Sequence, residues 1–204
     1  MQALCGYLLL EPVSRDCWSP GYAGVGRRPP AQVVSDIDQP PASNVWWQEM
    51  QCAGTADPRL EGAIARLPDA RKIQHAYLEL GYTFDIVAFY LCDDEQSARH
   101  AATTDGFLGY DVIDDSLWSA LQDHIELPVA QPWTDILSLC ELQRRFMVEH
   151  VNKHGLLSSY DDAVLIAATS RTLMSIDTTV ELPQNAFVVG VTAVTPDVDA
   201  STSA

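Results

Sequence analysis

The run YTFDIVAFYL, residues 82–91, constrains the fold more than any other part of the chain. Its aromatic and β-branched side chains fill both parities. Neighbouring residues of a strand face opposite sides of a sheet, so this run reads as a central strand buried on both faces. Such a strand needs apolar cover above and below it, and the rest of the chain must supply it. At 204 residues, 47% of them hydrophobic, the chain is large enough for one real core.

Three more segments read as strands: ALCGYLLLEP (3–12), closed by Pro12, GFLGYDVI (106–113) and NAFVVGVTAV (185–194). Helical patches lie between them. Leu60, Ile64 and Leu67 recur at steps of four and three. Pro68 interrupts, and Asp69 is placed to cap a second helix with the apolar line Ile73, Ala76, Tyr77 and Leu80, stopped by Gly81. Residues 93–106 read as a polar connection. Asp114 and Asp115 are placed to cap SLWSALQDH. A long helix is expected from about Thr134 to His154, with Ile136, Cys140, Met147 and Val151 on one face and Gly155 beyond its end. Ser159 with Asp162 resembles a capping box opening a helix through Ala163, Ile166, Ala167, Ser170 and Leu173.

Strands and helices alternate too irregularly for a doubly wound sheet. The expected class is α+β: a single mixed or antiparallel sheet of about four to five strands, with helices mainly on one face. One domain spans 1–194 and a flexible tail covers 195–204. Residues 14–44 hold five prolines and read as a long irregular loop. Trp46 and Trp47 follow it. Being adjacent, they point apart, one to the core and one outward.

Charge is the most informative bulk property. The formal net charge is −16, and it is unevenly spread. Between Asp93 and Asp135 there are ten Asp or Glu residues against a single base, Arg99, so that segment alone carries −9. This field repels nucleic acid and anionic membrane and steers a basic protein partner. No run approaches the ~18 apolar residues of a membrane span. The apolar start is short, lacks a basic flank and ends at Glu11-Pro12, unlike a signal peptide. The five cysteines, Cys5, Cys17, Cys52, Cys92 and Cys140, are odd in number and contain no CxxC. Reduced thiols in a cytoplasmic protein are expected.

Catalytic patterns find little support. There is no G-x-S-x-G, P-loop or G-x-G-x-x-G context, so no catalytic residue and no cofactor is expected. His150 and His154 form H-x-x-x-H, but Val151 stands where a zinc protease needs Glu. No metal is expected there. Asp111, Asp114 and Asp115 sit at a strand end, where hard-metal ligands or an acid/base pair would also sit. An EF-hand register is absent.

The residues Phe107, Leu108, Gly109, Tyr110, Asp111, Ser119 and Leu121 are followed by Gly155 and Leu156 and by the terminal strand FVVGVTAV. Together they resemble a loosely defined bacterial family of immunity-type proteins, cytoplasmic partners of secreted polymorphic toxins. Leu157 stands where Phe is usual in that pattern. The resemblance covers roughly the C-terminal half. It implies a binding protein that neutralises a cognate toxin by contact. Charge makes a basic toxin, such as a nuclease, the natural partner. The expected partner surface is Asp114, Asp115, Trp118, Asp123, Glu126 and Trp133: carboxylates to steer and tryptophans to anchor. The alternatives are an acidic nucleic-acid mimic or scaffold, or an enzyme using Asp111, Asp114 and Asp115.

Overall fold

The structure, a computed structural model, describes residues 4–12, 59–60, 63–113, 119, 149–176 and 186–195, with backbone alone for 172–176. The Pro/Gly-rich stretch 14–44, Trp46 and Trp47 lie outside the described residues, as do Cys17, Cys52, Cys140 and the tail from 196.

Four strands of seven residues each form one antiparallel sheet: β1 (Leu4–Leu10), β2 (Asp85–Leu91), β3 (Phe107–Ile113) and β4 (Phe187–Ala193). Among the described residues three helices lie between them: α1 (Leu67–Glu79), α2 (Glu95–Ala102) and α3 (Tyr160–Ile176). The spatial order is β1-β2-β4-β3. The last strand in sequence is therefore interior. It slots between β2 and β3, which run in the same direction and are joined through α2.

Register and alternation assign the two faces. Tyr7 and Leu9, Ile86, Ala88 and Tyr90, Val188, Gly190 and Thr192, and Tyr110 and Val112 share one face. All three helices among the described residues lie on it. α1 sets Ala70, Ile73 and Tyr77 against Leu9 and Ile86. α2 brings Ala98 and Ala101, and α3 brings Ala163, Ile166 and Ala167, against Tyr110, Val112 and Val188. The second face carries Leu8, Leu10, Val87, Phe89, Leu91, Ile113, Val189 and Val191, all buried. Among the described residues Leu60, Ala63 and Leu156 pack on that face. β2 is thus buried on both sides, as its sequence demands.

α2 sits unusually close to the sheet. A Cβ on Gly190 would lie 2.6 Å from the Ala101 Cβ, so only glycine fits beneath that alanine. Tyr110, next to Gly190 in the register, reaches up and donates its hydroxyl to the Ala98 carbonyl at 2.9 Å.

Three local expectations need correction. Residues 93–106 are not a mere connection, because they contain α2. Asp94 caps it in a reciprocal box: its carboxylate accepts from the Ser97 N–H, and the Ser97 hydroxyl accepts from the Asp94 N–H. The Leu60/Ile64/Leu67 patch is not one helix. Ile64 makes an antiparallel bridge to Tyr7 at the outer edge of β1. Helix α1 begins at Leu67, with Pro68 in its first turn, where a missing N–H costs nothing. Finally, helical backbone at 149–150 ends there, since Val151 bridges Leu157. The helix expected to reach His154 stops four residues early, because residues 151–157 fold back as a tight turn with Gly155 at φ 73°.

Candidate functional site

Two places bring side chains together. The first is a seam along the outer edge of β3. Gly109 has φ +149°, and a Cβ there would lie 2.8 Å from both the Leu156 Cβ and the Leu157 carbonyl oxygen. The turn 151–157 therefore lies directly on the strand. Tyr110 and Leu157 exchange backbone hydrogen bonds at 2.8 and 2.9 Å. Asn152 locks the turn: its Nδ2 donates to the Leu108 carbonyl at 2.8 Å, and its Oδ1 accepts from the His154 N–H at 2.8 Å.

Asp111 belongs to this seam. Its side chain lies on the apolar second face and is only 6% exposed. Its Oδ1 accepts from the Val112 N–H at 2.7 Å and from the Ser119 hydroxyl at 2.6 Å. Ser119 also bridges Ile113. Burial pushes the Asp111 carboxyl up to about 6, against the opposing pull of the Ser119 and Val112 hydrogen bonds. A perturbed, buried carboxyl is often catalytic. This one is a latch, fastening the chain after β3 back onto the strand. It is buried in the sheet and is not part of an exposed carboxylate surface.

Phe107, Leu108, Gly109, Tyr110, Asp111, Ser119, Gly155 and Leu156, the residues that carry the family resemblance, are all gathered in the seam or its turn. Leu121 lies outside the described residues. The described members serve the architecture, through close approach, edge pairing, a latch or a turn.

The expected partner residues Asp114, Asp115, Trp118, Asp123, Glu126 and Trp133 lie outside the described residues. Asp114, Asp115 and Trp118 are flanked by Ile113 and Ser119, which face each other in a bridge. His150 and His154 do not share a helical face. His150 Nδ1 lies 3.1 Å from Asp162 Oδ2 instead. Among the described residues no group of three or more His, Cys, Asp or Glu has the geometry to hold a metal. Cys5 and Cys92 are buried; the Cys5 sulfur accepts from the Leu91 N–H at 3.3 Å, and the Cys92 thiol donates to the Tyr90 carbonyl at 3.5 Å.

The second place is an acidic rim that sequence reading misses. Two helices start with paired aspartates: Asp93 and Asp94 before α2, Asp161 and Asp162 in the first turn of α3. A helix N-terminus favours negative charge, so both starts hold carboxylates at little cost. The Asp94 carboxyl is held below its usual range by the Ser97 N–H and hydroxyl. Tyr160 joins the two starts, donating its hydroxyl to the Cys92 carbonyl at 3.3 Å. That hydroxyl is raised first by burial, then by Cys92 and by the charges of Asp94, Asp93 and Asp161. Residues 68 positions apart in sequence thus share one surface. Arg59 lies 3.5 Å from Asp93, an exposed pair of small energetic weight. The signal is present as two Asp-Asp pairs at helix starts. Only their juxtaposition is hidden.

No family model, curated protein or solved structure matches this chain. No helix among the described residues is long and apolar enough to cross a membrane.

Proposed function

We propose that this chain is an immunity-type binding protein that neutralises a cognate basic toxin by covering it. The observation that carries the reading is the concentration of carboxylate. Segment 93–135 holds −9 of the −16 charges, and its described members Asp93 and Asp94 share a rim with Asp161 at the start of α3. Such a field raises the encounter rate with a cationic protein and repels nucleic acid and other acidic proteins. The family resemblance supplies the toxin. The seam residues that carry it fix the scaffold, so partner choice belongs to the exposed carboxylates and to the aromatic positions Trp118 and Trp133.

The test uses the full chain as bait in the cell that makes it, beside a bait carrying D93K and D161K. A basic polypeptide held by the first bait and lost from the second is expected. Its expression alone should arrest growth, and co-expression of this chain should restore it. If the captured polypeptide is not toxic, or growth is not restored, the reading is wrong.

A further inference from the structure

Helix α3 is apolar on both of its sides. Ala163, Ile166 and Ala167 are buried against the sheet. Val164 and Leu165 turn the other way, 42% and 52% exposed, and Ala168 is exposed beside them. Helix α2 contrasts with this, turning Glu95, Gln96, Arg99 and His100 to solvent. A helix that is apolar all round calls for cover on both sides. Leu78 and Leu80, the other exposed large apolar residues among those described, flank Glu79 at the end of α1 and continue no stripe.

The α3 stripe has a definite neighbourhood. Asp161, Val164, Leu165 and Ala168 follow i, i+3, i+4, i+7 spacing and lie on one helical face. Asp161 is also part of the rim with Asp93 and Asp94. An exposed apolar strip therefore runs straight out of a cluster of carboxylates. We propose that this strip is the docking surface for a basic amphipathic helix of the partner protein, apolar side on Val164 and Leu165, Lys or Arg on Asp161, Asp93 and Asp94. The proposal rests on the reading of the acidic surface above and says which face is used. Charge selects the occupant. A second copy of this chain brings −16 of its own and the same acidic rim. An anionic membrane is repelled in the same way. A cationic helix with one apolar side satisfies both features, and helix-on-apolar-strip is a common recognition mode.

The probe is a synthetic Leu/Lys peptide of about 18 residues with helical periodicity, long enough to hold a helix on a surface. Its controls are a scrambled peptide of the same composition and a Leu/Glu counterpart. Binding to the full chain is read by fluorescence anisotropy at about 0.15 M salt. The periodic basic peptide should bind about tenfold more tightly than its scramble, and V164S/L165S should remove that advantage. D161K should weaken binding several-fold, and both variants should melt as the parent does. If D161K weakens binding but V164S/L165S does not, the peptide sits on the carboxylates alone. The α3 strip is then refuted while a basic partner stands. If neither basic peptide binds, both readings fall. Equal binding of the Leu/Glu peptide refutes the choice of a basic occupant. A lowered melting temperature for V164S/L165S refutes the strip as a free surface. So does a concentration-dependent dimer that V164S/L165S abolishes.

Discussion

Asp111 and Asp161 are the same residue type in opposite settings. Asp111 sits inside the sheet, on an apolar face, and accepts two short hydrogen bonds through one oxygen. Asp161 stands in the open at the start of α3, beside Asp93 and Asp94. The first carboxyl loses solvation and is raised. The second is exposed to solvent, where a partner can reach it. A carboxylate at the end of an element therefore has no fixed meaning. Neighbouring backbone and burial decide whether it holds the fold together or faces a partner. The seam along β3 should respond to mutation through stability, and the rim through association.

The largest effect is expected at Gly109. Gly109→Ala places a Cβ 2.8 Å from Leu156 and from the Leu157 carbonyl at a φ that side chains avoid. A loss of about 3 kcal/mol is expected, read as a lower urea midpoint. A loss under about 1 kcal/mol, the scale of an ordinary point mutation, would mean that the turn is not seated on the strand.

Asp111 comes next, through pH. With the folded carboxyl near 6 and the unfolded one near 4, the folded chain holds a proton that the unfolded chain has released across about pH 4–6. Stability therefore falls as pH rises through that window and levels above it, by about 3 kcal/mol in all. Asp111→Asn keeps an acceptor for Ser119 and Val112 but cannot ionise. The difference in unfolding free energy between D111N and the parent should grow from pH 4 to 6 in favour of D111N. A difference independent of pH would show that Asp111 is solvated.

Tyr110→Phe removes the buried hydrogen bond to the Ala98 carbonyl and should cost about 1–2 kcal/mol. Tyr77→Phe is its control, since the Tyr77 hydroxyl is buried with no hydrogen-bond partner among the described residues. It should cost nothing measurable. Equal losses at both positions would show that ring packing, not the hydrogen bond, ties α2 to β3.

At the rim the sign of the comparison reverses. D93K/D161K should change stability by only about 0.5 kcal/mol. It should nevertheless slow association with the captured basic partner and flatten its salt dependence. The same stopped-flow measurement on D114K/D115K/D123K ranks the two acidic segments. If neither triple nor double reversal changes the association rate, steering by this surface is ruled out.

Much of the fold is legible from residue order alone. All four strands are visible as short apolar runs, because burial writes itself into side-chain type. β2 is the clearest, since both of its faces are covered. Helix α3 is announced by Ser159 and Asp162, and the Ser159 hydroxyl does accept from the Asp162 N–H, at 3.4 Å. Helix α2 escapes a reading by apolar periodicity because it is short and polar outside, although its Asp94/Ser97 box is there in the sequence. The end of the helix near His150 is misplaced for a different reason. Val151 fits the apolar helical stripe of Ile136, Cys140 and Met147, and only its pairing with Leu157 across a turn shows otherwise.

Sequence by itself determined the α+β class, the presence of a single sheet, the strand positions and the strongly acidic character. These depend on local composition and periodicity, which are written in order along the chain. Tertiary structure alone decided that the sheet is antiparallel with β4 between β2 and β3, that Asp111 is buried while Asp161 is not, and that two distant Asp-Asp pairs share a rim. Those outcomes depend on which segments meet in space. The meeting is set by close approaches, at Gly190 under Ala101 and at Gly109 under Leu156, that no local pattern encodes.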